Sequence, residues 1–539
     1  MLRIRKSVFG PVLAVLVLVA SARAFAQEPV IVLSVKSVDA LVTDLKYVLS
    51  TAGQEGDMID GLVDQLTQGK GFAGIDRSKP IGAYVTLDAA QTPSFVIFVP
   101  VNDNNAFRDL LATFFPRQQE AAGGMFSIQA EDQQFFGKFA NGHCFLTLLP
   151  RALDKLPDPA KIASNKYSLG IEANLAKIPD EVKDGLLEQA EALIETAQEG
   201  QEQPAGEIDA RVRDRAQKMM LEMIRMIFKD ADRMSLGLDV DHKSKLVALE
   251  LNLTPKSGTP LAASLANYQR TTSAFASIAG VDAAGSLNFA MPISESMREF
   301  LRDSIRSSAD QARAEIDKSE KLETDEQKKI VKDLLDRVVK VIEATGDAGK
   351  VDGAIVINTA SDGKAQVVAA CSIAQGDELT KIIDDAVKQN AGQPGFEKFK
   401  LDVAKHGGAR IHSFEPEFTG ENKENISPGP GHLAIRRDAV YVAVGGDSLA
   451  AVKAAIDKTG KAAPNRPPVS IRAQPSKLVA MFGKGDDPNT KLAREAFTGD
   501  GDHMSLELVP IERGARLRLE LGEGFLRFIA LSVSQQLGG

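Results

Sequence analysis

The element order of this chain repeats. A short β-branched strand, a helix, a polar break, a second helix, a β-hairpin and a closing helix can be read four times, twice in each half. Such a chain faces one packing problem four times over. Each hairpin carries an apolar face, and the amphipathic helices beside it are the surfaces able to cover that face.

In the first unit, residues 30–35 read as a strand, and Leu41, Val42, Leu45, Val48 and Leu49 recur at helical spacing. Gly53, Gln54, Glu55 and Gly56 break that helix. A second helix is predicted over 57–66, a hairpin over 81–87 and 95–101, and a closing helix over 105–114. The second unit opens at Ser168 with longer helices over 180–198 and 207–229, a hairpin over 234–240 and 246–253, and a closing helix starting at Pro260. Proline suits a helix start because its missing N–H would be unpaired there anyway.

The third unit has its strand at 287–291, and Ser296 with Glu299 and Thr324 with Gln327 both have capping-box spacing. Its hairpin is predicted over 354–358 and 365–373, and its closing helix over 378–389. The fourth is compact, with strand 469–473, short helices at 477–482 and 490–497, hairpin 504–509 and 515–521, and final helix 525–536.

Two β-rich inserts, 124–156 and 397–457, separate the units within each half. Each is predicted to hold a hairpin followed by a short helix, and Asn141-Gly142 is the strongest two-residue hairpin signal in the first.

The expected class is therefore α+β. It comprises two similar lobes from internal duplication, antiparallel sheets covered by amphipathic helices, and long helical pairs near the middle of the chain. The expected boundaries are 28–280 (units 30–114 and 167–275) and 281–539 (units 286–390 and 468–537).

Residues 1–26 read as an export signal. Arg3, Arg5 and Lys6 precede an apolar run over 8–19, and Ala24-Phe25-Ala26 before Gln27 has the small-x-small pattern of a cleavage site. That run is shorter than the roughly 20 residues of an ordinary span, so no stable membrane span is expected after signal removal. The expected location is periplasmic or secreted, in a bacterium.

The net charge is −9, and loss of the four basic residues Arg3, Arg5, Lys6 and Arg23 lowers it by four, to −13. An acidic chain without basic clusters repels phosphate backbones, so no nucleic-acid partner is expected. Trp is absent and Tyr occurs five times, which removes the usual aromatic platform for sugars. Cys144 and Cys371 fall at non-equivalent places, and two buried single thiols are expected.

The chemical motifs resolve into turns. Asp239, Asp241 and His242 have metal-ligand character but fall at a predicted hairpin turn, where Asp serves backbone hydrogen bonding. Ser361 and Lys364 have the spacing of a serine–lysine acylase pair, yet that chemistry requires a helical turn and this is a hairpin turn. Asp500, Asp502 and His503, with Asp486 and Asp487 nearby, lack the alternate oxygens and closing Glu of a calcium loop. His412, Glu415 and Glu417 read as an exposed strand edge because of Pro416. No phosphate loop or nucleophile elbow occurs, so no catalytic residue, metal or cofactor is assigned.

Met219, Met220, Met223, Met226 and Phe228 stand out as a candidate ligand-binding stripe on the second unit's long helix. Methionine lines adaptable apolar grooves. The same spacing is what a core-facing helix requires.

In its general plan, an export signal followed by repeated strand–helix–helix–hairpin modules, the chain resembles large exported bacterial proteins of unknown function. The leading expectation is an exported, non-enzymatic protein acting through binding or assembly surfaces toward an unknown protein or apolar ligand. Two further readings stand beside it. One is a carrier of an apolar ligand in a helix–sheet groove, and the other a hydrolase whose carboxylate site is hidden among 73 acidic residues.

Overall fold

The computed structural model describes residues 28–51, 53, 56–87, 93–130, 133–164, 166–199, 207–280, 282–319, 324–389, 398–418, 421–461, 467–483, 485, 487–499 and 501–538. The expected signal at 1–26 lies outside them, as do Gln54, Glu55, Asp486 and Asp500.

Ten strands come from the first part of the chain: β1 (Ile31–Val35), β2 (Ile81–Leu87), β3 (Pro93–Pro100), β4 (Gln118–Ala121), β5 (Met125–Ala130), β6 (Gln133–Ala140), β7 (His143–Thr147), β8 (Leu169–Asn174), β9 (Ala231–Asp241) and β10 (Leu246–Pro255). Ten more follow: β11 (Gly285–Pro292), β12 (Lys350–Thr359), β13 (Ala365–Ser372), β14 (Lys400–His406), β15 (Ala409–Phe414), β16 (Gly431–Arg436), β17 (Ala439–Val444), β18 (Val469–Ala473), β19 (Met504–Ile511) and β20 (Gly514–Gly522).

All twenty belong to one antiparallel sheet. This corrects the expectation of two similar lobes with long helical pairs at their junction. The repetition is written into the sheet as strand order. The first ten strands run β4-β5-β6-β7-β3-β2-β1-β8-β9-β10. The second ten run β14-β15-β16-β17-β13-β12-β11-β18-β19-β20, the same order element for element. Period-two alternation shows which residues of a strand share a face, but leaves its neighbours open. The β1–β8 and β11–β18 pairings join distant segments, and no local pattern announces them.

The long helices Asp180–Glu199 and Glu207–Asp230 connect the neighbouring strands β8 and β9, and Glu295–Lys318 and Asp325–Asp347 connect β11 and β12. Each pair is thus a return excursion between adjacent strands of the sheet. By compactness the chain separates into two units: Met1–Glu188 with Phe228–Lys256 and Ile529–Gly539, and Gln189–Ile227 with Ser257–Phe528.

In the first unit, helix Asn104–Phe114 is capped by Asp103 and packs Phe107, Leu110 and Leu111 against Val99, Phe126, Ile128 and Cys144. On the opposite face of β1–β3, Val32, Tyr84, Val96 and Phe98 are covered by Leu153 from the insert. The inserts hold more than the expected hairpin, since β4–β7 and β14–β17 are four-stranded meanders. Asn141 and Gly142 adopt positive φ, 53° and 70°, at the β6–β7 turn, as the Asn-Gly pair predicts.

In the second unit, Val452, Ala455 and Ile456 of helix Ser448–Lys458 pack on Ile411, Ala434, Tyr441 and Ala443. Thr324 and Gln327 form the predicted capping box. The cap of the preceding helix is Ser294 rather than Ser296, with the Ser294 hydroxyl accepting from Met297 N–H. Ion pairs link the two long helices: Arg302–Asp347, Arg306–Glu343 and Arg313–Asp336 at 2.8, 2.8 and 2.6 Å. Exposed pairs of this kind contribute about 0–1 kcal/mol each, so they set register more than stability.

Candidate functional site

Strand alternation gives the sheet an aliphatic face. In the first unit one row runs Leu33, Ile171, Leu236, Leu251 across β1, β8, β9 and β10, and the next runs Val35, Leu169, Leu238, Leu249. In the second unit the equivalent rows are Leu287, Ile471, Leu506, Leu519 and Phe289, Val469, Leu508, Leu517. The face continues through Ile355 and Val351 of β12, which pair with Leu287 and Met291.

Two pairs of equivalent residues on this face are left open to the same degree. Ile171 is 38% exposed and Ile471 37%; Leu249 is 39% exposed and Leu517 37%. Met291, Val351, Ile355, Leu169 and Leu236 are also exposed. Single exposed aliphatic residues are ordinary on a protein surface, whereas contiguous ones mark a surface that receives something. Helix Pro260–Gln269 packs beside β19, where the Tyr268 hydroxyl donates to Leu508 O at 2.6 Å. Cys371, opposite Gly353 on β13, is an exposed thiol on the same face. That corrects the expectation of two buried thiols, which holds only for Cys144, whose thiol pKa is pushed up by burial.

The methionine stripe lies on helix Glu207–Asp230. Met220 is exposed, Met223 is 53% exposed, and Met226 and Phe228 are half-buried. Met219 falls on the helix, with its side chain outside what the structure describes.

The polar motifs are structural. Asp241 accepts from the Lys243 and Ser244 N–H groups and the Ser244 hydroxyl, which holds its carboxyl below the usual range. His242 bonds instead to Asp44 (2.6 Å) and lies against Tyr47, tying the β9–β10 turn to helix Val38–Thr51. Asp239 lies within β9, paired with Ala248, rather than at the turn. Ser361 and Lys364 flank the β12–β13 turn, where Asp362 accepts from Lys364 N–H.

Asp502 is buried and its carboxylate accepts from Gly499 N–H, while His503 is half-buried. His412 is fully buried, correcting the expected exposed edge: β15 lies between β14 and β16. Glu415 and Glu417 pair with Lys398 on the surface. Among the described residues, no three His, Cys, Asp or Glu side chains are grouped to hold a metal ion.

Two polar constellations escaped the sequence reading. Glu250, buried in the first unit, accepts from Lys166 Nζ and the Tyr167 hydroxyl at 2.6 Å each. In the second unit Arg472 donates to Glu507 Oε1 at 2.6 and 2.9 Å, and the Ser505 hydroxyl donates to Glu520 at 3.1 Å. Glycine inside the strands was the available signal, since Gly237 marks close approach of another group. It became legible only once Tyr167 was seen lying on it.

Compared with known proteins, the chain matches no family model, and no curated protein and no solved structure is significantly similar to it. Among the described residues no helix is long and apolar enough to cross a membrane.

Proposed function

We propose that this is an exported, non-enzymatic binding protein whose working surface is the aliphatic face of the sheet, and that an apolar small molecule is what covers it. The observation that carries the reading is the matched exposure of Ile171 with Ile471 and of Leu249 with Leu517. In both copies these two positions are left uncovered, at a hydrophobic cost of about 25 cal/mol for each Å² left in water.

The half-exposed residues on this face are Leu, Ile, Val and Met, with one Cys. Protein interfaces draw instead on Tyr, Trp and Arg as anchors. A floor of mainly aliphatic side chains, with Phe289 among them, matches an acyl chain better than a folded partner. Met220 and Met223 supply a second exposed apolar surface of adaptable shape. The signal pattern at 1–26 supports export, and the acidic balance argues against nucleic acid.

Cys371 is a built-in reporter, with Cys144 as a buried control. In delipidated protein a maleimide should modify Cys371 quickly and leave Cys144 untouched. Oleate should protect Cys371 and raise the melting temperature, because a ligand bound only to the native state stabilises it. Labelling indifferent to oleate, together with no gain in melting temperature and no co-purifying lipid, would refute the reading. Protection that appears with rising protein concentration alone would assign the face to assembly instead.

A further inference from the structure

The Glu28–Lys177 ion pair of the first unit is not remade in the second, where the equivalent lysine lines a cleft. Backbone register fixes the equivalence. Asn174 N–H donates to Val30 O and Gln474 N–H to Ala284 O, each at 2.8 Å. Lys177 and Lys477 both stand three residues after that donor, and Glu28 and Asp282 both stand two residues before that acceptor. In the first unit the Lys177 ammonium lies on the Glu28 carboxylate. In the second the acid is one methylene shorter, and the Lys477 ammonium donates instead to the Asp282 backbone carbonyl at 2.9 Å.

A second lysine is held in the same way. Lys458, at the end of helix Ser448–Lys458, donates to Ile278 O at 3.3 Å. Both lysines are half-buried, and among the described residues neither has a carboxylate within ion-pair distance. Asp457, next to Lys458, is taken by His406 at 2.7 Å. A backbone carbonyl is neutral, so each ammonium keeps its charge and has further N–H donors to spare. Arg472 and Arg518 of the same unit differ, because Glu507 and Glu520 close them.

Both lysines line one cleft of 610 Å³, together with Asp282, Asn358, Thr359 and Met481. The Asn358 amide has no hydrogen-bond partner among the described residues, and the Thr359 hydroxyl has only the Met481 sulfur, at 4.0 Å. A thioether is a weak acceptor, so that hydroxyl is free to turn to a better one.

We propose that this cleft binds a small organic acid, its carboxylate or phosphate group answering the Lys477 and Lys458 ammoniums and its short body lying against Met481. The ligand brings to the second unit the counter-charge that Glu28 brings to the first. Two ammoniums outweigh the exposed Asp282 carboxylate, so the local field favours an anion although the chain as a whole is acidic. Hydrogen bonds from ammonium to carboxylate or phosphate are charge-assisted and strong. The cleft volume lies within the usual range of roughly 300–1,000 Å³ for small-molecule sites.

The test is thermal denaturation and calorimetry of the exported chain with propionate, succinate, citrate and glycerophosphate at millimolar concentration, and with sodium chloride at matched ionic strength. At least one acid should raise the melting temperature in proportion to the logarithm of its concentration, and chloride should not. Stabilisation by the carboxylates alone names a carboxylic acid as the ligand, and by glycerophosphate alone a phosphate ester. Lys477→Met keeps the aliphatic stem without the charge and should weaken binding by about tenfold or more. Lys177→Met in the first unit breaks the counterpart ion pair and should leave the affinity unchanged.

Should Lys477→Met fail to fold, Asp282→Glu takes its place: it installs the first unit's acid, which should close on Lys477 and weaken binding likewise. The proposal falls if no acid stabilises the protein, if chloride does as well, or if the folded variant binds like the wild type. None of the probes carries a long acyl chain and no readout uses Cys371, so this site and the aliphatic face stand or fall separately.

Discussion

The same four-strand arrangement is finished in two different ways. In the β1–β8–β9–β10 quartet Gly170 and Gly237 line a bed, and the Tyr167 ring, from the segment just before β8, lies in it with its hydroxyl on a buried carboxylate. In the β11–β18–β19–β20 quartet those positions carry Ser470 and Glu507, the ring is replaced by Pro467, and polar side chains face a cleft. A repeated strand order therefore does not imply a repeated role. One glycine-to-glutamate difference, with one tyrosine-to-proline difference, separates a joint filled by a ring from a row closed by ion pairs. On the aliphatic face, by contrast, Ile171 matches Ile471 in exposure and Leu249 matches Leu517.

The largest expected effect breaks the comparison at its filled end. Tyr167→Ala removes a buried ring and one of the donors to Glu250, and should cost about 3–5 kcal/mol in chemical denaturation. Pro467→Ala at the equivalent place should stay within about 0.5 kcal/mol. Equal costs would show that the two places are not counterparts.

Gly237→Ala comes next. Its methyl group meets the Tyr167 ring, so a loss of about 1–3 kcal/mol is expected in the same assay. Glu507→Ala gives up a partly exposed ion pair and should lose about 0–1 kcal/mol. If Gly237→Ala were neutral, the close approach of Tyr167 would not be what holds glycine there.

The smallest effect concerns pH and a second pair of counterparts. Phe126 in β5 and His412 in β15 occupy matching, fully buried positions. Burial, opposed by Asp402 and aided by Arg410, lowers the His412 pKa below its ordinary value of 6.5. The unfolded chain then takes up the proton first as pH falls, so stability is present above about pH 6.5 and is lost below it. His412→Phe imposes the first copy's residue and should make the fall in melting temperature between about pH 7 and about pH 5 shallower. A residual slope should persist, because burial also lowers the His432 pKa. An unchanged slope would show that His412 is not among the groups that titrate on unfolding.

Much of the local structure was readable from residues alone. Asn141-Gly142 announced its turn, Thr324 with Gln327 its capping box, and Pro260 the start of a helix behind Thr259. Each is governed by backbone geometry within a few residues. The misreadings share one cause. Glu415 and Pro416 suggested that His412 lay on an exposed edge, yet β14 pairs along β15 and buries it. Cys371 was expected inside, yet it is exposed on β13. Lys166, Tyr167 and Glu250, separated by more than eighty residues, gave no joint signal.

What the sequence determined by itself is the cadence of strands and helices, the sidedness of each strand and the chemistry of its turns, because these depend on side-chain period and on φ/ψ preference. Only the tertiary structure decided which strand lies beside which, that all twenty join in one sheet, and which of two matching rows is roofed. Strands pair through backbone hydrogen bonds that are alike at nearly every residue, so the choice of neighbour leaves little trace in the letters.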